Sequence, residues 1–221
     1  MNILEILWAL RDGLLISVEI FALTLIFSLP LGLLICFGRL SKIKPISWIF
    51  KFYISVMRGT PLMLQLFVVY FLPYYVFGVS LKFMGENWLF LSVIIGFSLN
   101  YAAYFAEIYR SGITSVPEGQ YEAAKVLGLS KSRTFFVVIL PQVIKRVLPA
   151  MTNEIITLVK DTSLAFAIGQ VEMFTKAKRL ASSEVSMLPY AAAAIIYYLF
   201  NLVVAFLMSK IEKKTNKYTI K

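Results

Sequence analysis

The sequence predicts an all-α polytopic membrane protein, a single transmembrane domain of residues 1–221 with about five membrane-spanning helices. Hydrophobic residues fill 59% of the chain, and the mean hydropathy of +0.78 is far above that of soluble domains. These apolar residues form runs long enough to cross a bilayer as helices. Basic residues give a net charge of +10 but lie between the runs, so they indicate membrane topology rather than nucleic-acid binding.

Residues needed for several kinds of chemistry are scarce. Cys36 is the only cysteine, and the sequence contains no histidine. Disulfides, structural zinc sites and a Ser-His-Asp site are therefore excluded. The chain also lacks a G-x-x-x-x-G-K-[ST] loop, so it is not a subunit that binds ATP through that motif. We expect no cofactor and no metal in this chain.

The first predicted span covers residues 13–38 and follows a leader that contains several polar residues. Pro30 and Gly32 indicate a kink within this span. Glu19 is its one charged residue. A carboxylate inside a membrane helix is a candidate for function, but Glu19 also lies close enough to the predicted helix start to reach the interface. The sequence leaves both roles open.

A break precedes the second predicted span, which covers residues 62–81. The glycine of this break permits unusual backbone angles and its proline removes an amide donor. Because broken backbone at membrane depth must face protein or water, we expect the break to line a pathway or contact a second subunit. A plain helix start at the interface, with the arginine reaching the headgroups, is the alternative. The break consists of Arg58, Gly59, Thr60 and Pro61.

The third predicted span covers residues 87–110 and ends in Glu107 and Arg110, which are expected to form a structural ion pair because they share a helix face. The fourth covers residues 143–160 and continues as a partly amphipathic helix to about residue 179. The fifth covers residues 185–209.

The distribution of Lys and Arg predicts the orientation. With the amino terminus outside, most basic residues near span ends lie inside, as the positive-inside rule requires. The carboxyl terminus and the loop at about residues 113–135 are then cytoplasmic. The external regions carry only Arg11, Lys82, Lys176, Lys178 and Arg179.

Residues 121–141, YEAAKVLGLSKSRTFFVVILP, form the least membrane-like long segment between two apolar regions. They predict a short helix, a stop at Gly128 and a second helix start capped by Ser130 or Ser132. Their spacing resembles the EAA motif of permease subunits of bacterial ATP-binding-cassette (ABC) importers, with Val138 where the motif has isoleucine. The matching residues are Glu122, Ala123, Ala124, Gly128, Leu140 and Pro141. An ordinary helical hairpin between two spans is the alternative.

Other segments resemble the branch of this family that imports polar amino acids. They are the Arg58 to Pro61 break, AEIYRSG at residues 106–112, GQ at residues 119–120 and KDTSL at residues 160–164. The resemblance implies a type I importer permease in the cell membrane. It also implies a second permease subunit, an extracytoplasmic solute-binding protein, and two ATPase subunits that hold ATP and Mg and dock on the EAA loop. The permease itself is then no enzyme.

Two other classes of function compete with this interpretation. A secondary amino-acid transporter would also be apolar and polytopic, but it would need no docking helix and often has duplicated halves, which this sequence does not show. A membrane-embedded enzyme would need a reactive cluster. Lys160, Asp161 and Ser163 are the only candidates, and a Ser-Lys pair alone is a weak signal.

The substrate site is predicted in residues 152–163, TNEIITLVKDTS, the most polar part of any span. Glu154, Thr157 and Asp161 fall on one helical stripe, and Lys160 lies off it. Because a charge at membrane depth costs roughly 3 kcal/mol, such residues face one another or a watery cavity. Alternatively, Lys160 and Asp161 pair at the membrane boundary.

We expect Asp161, together with Glu154, to receive the ammonium group of an amino acid. The hydroxyl groups of Thr162 and Ser163, or backbone amides freed by a bend there, are expected to receive its carboxylate. Glu154 is alternatively a partner for Lys145 or Arg146. The sequence leaves open whether cystine, glutamine, arginine or histidine is the substrate.

Overall fold

A computed structural model describes residues 2–215, without the side chains of residues 81–84 and 86, and this part of the chain contains helices and no strand. The α-helices are α1 (Ile3–Arg39), α2 (Lys44–Gly59), α3 (Leu62–Phe77), α4 (Leu81–Thr114), α5 (Glu118–Val126), α6 (Lys131–Arg133), α7 (Leu140–Asp161), α8 (Met173–Ser183) and α9 (Leu188–Thr215). A π-helical segment, Thr134–Ile139, joins α6 to α7, and a 3-10 segment, Thr162–Ile168, follows α7.

Four helical stretches of the described chain are long and apolar enough to cross a membrane. They are α1, the Asn87–Thr114 part of α4, the continuous stretch Lys131–Ile168, and α9. The bent pair of α2 and α3 makes a fifth candidate span. The predicted all-α polytopic fold with about five spans is therefore confirmed.

The ends of the helices differ from those of the predicted spans. The leader is not separate, because α1 already begins at Ile3. Glu19 is exposed and lies about 24 Å along α1 from that start, so closeness to the helix start no longer supports an interfacial position. α3 ends at Phe77 rather than at residue 81, because Gly78 is left-handed with φ 65° and its amide bonds back to the Tyr74 carbonyl.

The predicted helical continuation from residue 164 to residue 179 is wrong. The 3-10 segment ends at Gly169, whose φ of 92° turns the chain, and α8 begins only at Met173. Glu172 caps α8, since its buried carboxylate accepts hydrogen bonds from the Phe174 and Thr175 amides at 2.6 and 2.8 Å. Burial raises the pKa of Glu172 above its ordinary value, and these hydrogen bonds oppose the increase.

The core lies where α1 and α4 pack together with α3 and α7. Its fully buried members include Ile20, Leu66, Phe97, Phe105 and Leu158. α1 runs as one helix through Pro30. Nearby Gly32 serves close packing, since a Cβ there would lie 2.9 Å from the Phe105 Cβ and 3.0 Å from the Ala102 carbonyl oxygen.

Gly32→Ala is therefore expected to destabilise the protein, because α1 and α4 must move apart to admit the methyl group. Overpacking of this kind costs about 1–3 kcal/mol. Thermal unfolding of the purified protein in detergent measures the effect. Gly119→Ala is the matched control, because nothing lies within 4 Å of a Cβ at Gly119. Equal unfolding temperatures for the two variants would contradict the prediction.

Candidate functional site

The loop between α4 and α7 contains the short helix, the stop and the restart that its sequence predicts. α5 ends in a Schellman motif, in which the Gly128 amide donates to the Lys125 carbonyl and the Leu129 amide donates to the Ala124 carbonyl, both at 3.0 Å. Gly128 adopts the left-handed conformation this motif needs, with φ 72°. Ser130 caps the restart by accepting a hydrogen bond from the Arg133 amide.

The two alanines of the EAA motif point in different directions. Ala123 is exposed together with Glu122, whereas Ala124 is 3% exposed and packs within its own chain. Of the two alanines, only Ala123 is therefore open to another surface. The most exposed apolar side chains at the end of α5 are Val126 and Leu127, which are 87% and 76% exposed. The sequence motif does not include either residue.

The loop contacts the first turns of α7 and the segment just before it. Val116 is buried in an apolar cluster with Ile139 and Val143. The side-chain amide of Gln142 donates to the side-chain oxygen of Gln120 at 3.1 Å. Arg146 donates to the Ser115 hydroxyl at 3.0 Å. The loop is therefore joined to α7 by both apolar packing and hydrogen bonds.

Leu140 and Pro141 lie away from the exposed face of α5, in the first turn of α7. Pro141 has no amide hydrogen to donate to the carbonyl four residues earlier, and its ring crowds that carbonyl. The chain widens into the π-helical segment immediately before it, a geometry that often marks such interruptions.

The Arg58 to Pro61 break turns the chain sharply, since α2 and α3 meet at 113°. Gly59, Thr60 and Pro61 are exposed. Arg58 is also exposed, and its guanidinium lies over the Tyr104 ring at 5.2 Å from the centroid. The break thus places a cation beside α4.

Arg58 and Glu154 line one cavity of about 540 Å³, which we call the Glu154 cavity. Tyr104, Glu107 and Arg146 also line it. Arg110 forms an ion pair with Glu107, donating from Nε at 2.9 Å and from Nη2 at 2.5 Å. The cavity therefore presents both positive and negative groups between α2, α4 and α7.

Lys160 and Ser163 line a different cavity of about 540 Å³, together with Phe174, Tyr190 and Tyr197. The predicted substrate residues are therefore divided between two sides of α7. The sequence already placed Lys160 off the stripe of Glu154, but it did not separate Ser163 from that stripe.

Asp161 accepts a hydrogen bond of 2.7 Å from the Tyr101 hydroxyl, which joins the end of α7 to α4. The Thr162 and Ser163 hydroxyls donate to carbonyls of their own helix, Val159 and Lys160, both at 2.8 Å. Thr162 is fully buried. The Thr162 hydroxyl, which the sequence offers as a carboxylate receptor, is therefore paired within its own helix. Thr157 is half-buried on α7.

Sequence reasoning missed three polar residues that complete this site, Tyr101, Gln65 and Asn100. Asn100 donates to the Gln65 carbonyl oxygen at 2.9 Å, so the two join α4 to α3 inside the apolar core. All three lie within long apolar runs, far along the chain from their partners. A polar amide within an uncharged span was the only available signal.

These features define a class of protein. A polytopic helical bundle with a broken span, a charged cavity between its helices and an anchored helix in a polar loop is the architecture of a membrane transport component. The broken span, the charged cavity and the anchored helix are separate observations. The comparisons with known proteins agree with the class that they indicate.

Residues 28–217 match the family described as binding-protein-dependent transport system inner membrane component. The chain is 37% identical to the L-cystine transport system permease protein TcyB of Bacillus subtilis, covering 96% of this chain and 88% of that protein. It is also 37% identical to the arginine transport system permease protein ArtQ of Bacillus subtilis, covering 92% and 90%.

A crystal structure of an amino acid ABC transporter with histidines is similar at a TM-score of 0.84 and 32% identity, covering 97% of this chain and 99% of that chain. The chain therefore belongs to the family of inner membrane components of binding-protein-dependent transport systems. It is a multi-pass inner membrane permease that carries the EAA motif of ABC importers.

Proposed function

We propose that this chain is the permease subunit of an ATP-driven importer of polar amino acids. The observation that carries the proposal is the exposed α5 surface, anchored on the same helix, α7, that forms a wall of the Glu154 cavity. A device of this kind links a cytoplasmic motor to a membrane pathway. The similarity to permeases named for cystine and arginine transport supports amino acids as the substrate class.

In this proposal two permease subunits, of one or two kinds, work with two ATPase subunits and an extracytoplasmic binding protein. The amino terminus is outside and the α5 end is cytoplasmic. The structure supports this orientation because Lys125, Lys131 and Arg133 lie at the α5 end, whereas Lys176 and Lys178 lie on α8 beyond the other end of α7. Lys217 and Lys221, which contributed to the sequence prediction, lie outside the described residues. ATP and Mg are held by the ATPase.

The substrate route passes through the Glu154 cavity and along Asp161. Arg58 and Glu154 line that cavity with opposite charges, and a free amino acid carries the two complementary groups. The proposal keeps Asp161 and Glu154 as ammonium receptors. Arg58 replaces Thr162 as the group that receives the carboxylate.

Uptake into proteoliposomes that contain the permease, its ATPase and its binding protein tests the function. We expect uptake of cystine, glutamine, arginine or histidine only when ATP is present on the side of the membrane on which α5 lies. A secondary transporter would instead take up substrate along an ion gradient without ATP. Uptake that persists without ATP but collapses with the gradient would overturn the proposal.

A further inference from the structure

The α2–α3 break leaves backbone carbonyls without helical partners. The last carbonyls of a helix have no amide of their own helix to accept from. At this break the next turn cannot supply one, because Thr60 and Pro61 are extended. Unpaired carbonyls at membrane depth cost several kcal/mol each.

Side chains supply the missing donors. The side-chain amide of Gln65 donates to the backbone carbonyls of Met57 at 2.9 Å and Thr60 at 3.1 Å. It also contacts the Thr60 hydroxyl at 2.8 Å. The side-chain amide of Asn100 donates to the same Met57 carbonyl at 3.0 Å and to the side-chain oxygen Oε1 of Gln65 at 2.9 Å. The Thr60 hydroxyl in turn donates to the Val56 carbonyl at 2.8 Å.

The burial of the two amides fits this role. Gln65 is 9% exposed and Asn100 is 4% exposed. A buried amide is stable only when its donors and acceptor are paired, because an unpaired one pays the full desolvation cost. Gln65 and Asn100 therefore hold one geometry, and that geometry fixes the carbonyl of Met57.

Arg58 is the residue that follows that carbonyl. The direction of its side chain, over Tyr104 and into the Glu154 cavity, depends on where the Met57 peptide lies. Fixing that peptide preorganises the guanidinium and lowers the cost of ordering it when a ligand binds.

We infer that Gln65 and Asn100 are positioning residues that lock the α2–α3 break to α4 and thereby hold the Arg58 guanidinium at the wall of the transport cavity. The inference rests on the proposed function for the role of Arg58. The lock itself is a property of the fold. α4 also leads into the loop that carries α5, so these hydrogen bonds join the break to the helix that precedes the proposed docking loop.

The distance between two spin labels reports directly how firmly the Gln65 and Asn100 hydrogen bonds hold the break. Gly59→Cys and Gly119→Cys place labels on the break and on α5, and nothing lies within 4 Å of a Cβ at either position. Cys36 is fully buried and does not compete for the label. Electron spin resonance then gives the distribution of distances between the two labels in the full-length protein. Gln65→Met, which removes both donors and the acceptor, is expected to widen that distribution roughly twofold.

Trp88→Phe is the matched control. Trp88 donates from α4 to the α3 carbonyl of Tyr70 at 3.0 Å, so its loss removes another hydrogen bond between the same helices without touching the break. We expect the wild-type distribution there. Should Gln65→Met prevent folding, Thr60→Val takes its place, since it removes the Thr60 hydroxyl and its two hydrogen bonds while keeping the size of the side chain.

Substrate uptake provides the second readout. Gln65→Met is expected to raise the KM for the amino acid about tenfold with a smaller change in kcat, whereas Trp88→Phe leaves KM unchanged. An unchanged distribution of label distances in both Gln65→Met and Thr60→Val would overturn the inference. Equal widening in Trp88→Phe would also overturn it. Because the distance measurement needs neither ATP nor substrate, its result stands apart from a failure of the proposed function.

Discussion

Replacing Val126 and Leu127 together by aspartate is expected to abolish ATP-driven uptake while leaving the permease folded in the membrane. Both side chains are more than three-quarters exposed, and exposed substitutions usually change stability by less than about 0.5 kcal/mol. At the centre of a docked interface, however, buried apolar anchors each contribute roughly 2 kcal/mol or more. We therefore expect ATPase binding to weaken by at least about 100-fold, measured with the purified ATPase and the permease in nanodiscs.

A matched control is available at the other end of the protein. Val185 and Met187, in the turn between α8 and α9, are 92% and 76% exposed. Replacing this pair by aspartate adds the same charge to equally exposed apolar positions beyond the far end of α7. ATPase binding should then stay at the wild-type level. Normal binding by the Val126 and Leu127 variant would show that α5 does not dock on the ATPase.

Two substitutions within the EAA motif test the loop less cleanly. A bulky residue at Ala124 would disturb the packing of α5 on its own chain, because Ala124 is 3% exposed. Gly128→Asp would strain a backbone held at φ 72°. We still expect both variants to be inserted and uncoupled from the ATPase. Loss of activity would reflect a displaced α5 rather than a lost contact.

Asp161→Asn is expected to lower substrate-stimulated ATP hydrolysis by about 10- to 100-fold at low substrate concentration. A carboxylate accepts several hydrogen bonds, so an ammonium group can bind Asp161 beside the Tyr101 hydroxyl. Asparagine keeps the size of the side chain but removes the charge. Hydrogen bonds to charged groups contribute about 1.5–3 kcal/mol. The assay uses permease and ATPase without the binding protein, so that only the membrane site selects the substrate. Glu154→Gln should act in the same direction.

Ser163→Ala is the matched control for Asp161→Asn. Its hydroxyl bonds to the Lys160 carbonyl and lines the other cavity, so substrate dependence should remain that of the wild type. Wild-type substrate dependence in both Asp161→Asn and Glu154→Gln would place the pocket elsewhere.

Much of the fold could be predicted because each span carries its own signal. Apolar runs mark the spans, and Gly128 with Ser130 marks the stop and restart around α5. Two of the misplaced helix boundaries share one cause, since local glycine geometry at Gly78 and Gly169 stops helices that hydropathy alone would continue. Hydropathy measures how apolar a residue is and contains no information on backbone angle.

The site was predicted only in part. Glu154 and Arg58 were identified separately, as a charge within a span and as part of a break, but nothing in the sequence placed them in one cavity. The roles assigned to the coupling loop, the Glu107–Arg110 pair and the substrate residues stay predictions, as does the membrane orientation. The sequence did not show that the Thr162 hydroxyl has a partner in the carbonyl of Val159.

By itself the sequence determined that this protein is a polytopic helical permease, where its loop helix lies, and which residues are too polar for their apolar surroundings. Those properties depend on residues near one another in the chain. Only the tertiary structure decided which side chains meet: Tyr101 with Asp161, Gln65 with Asn100, and Ala124 with its own chain rather than a partner. The physical reason is that a buried polar group must find a partner, and helix packing alone determines which distant residue provides it.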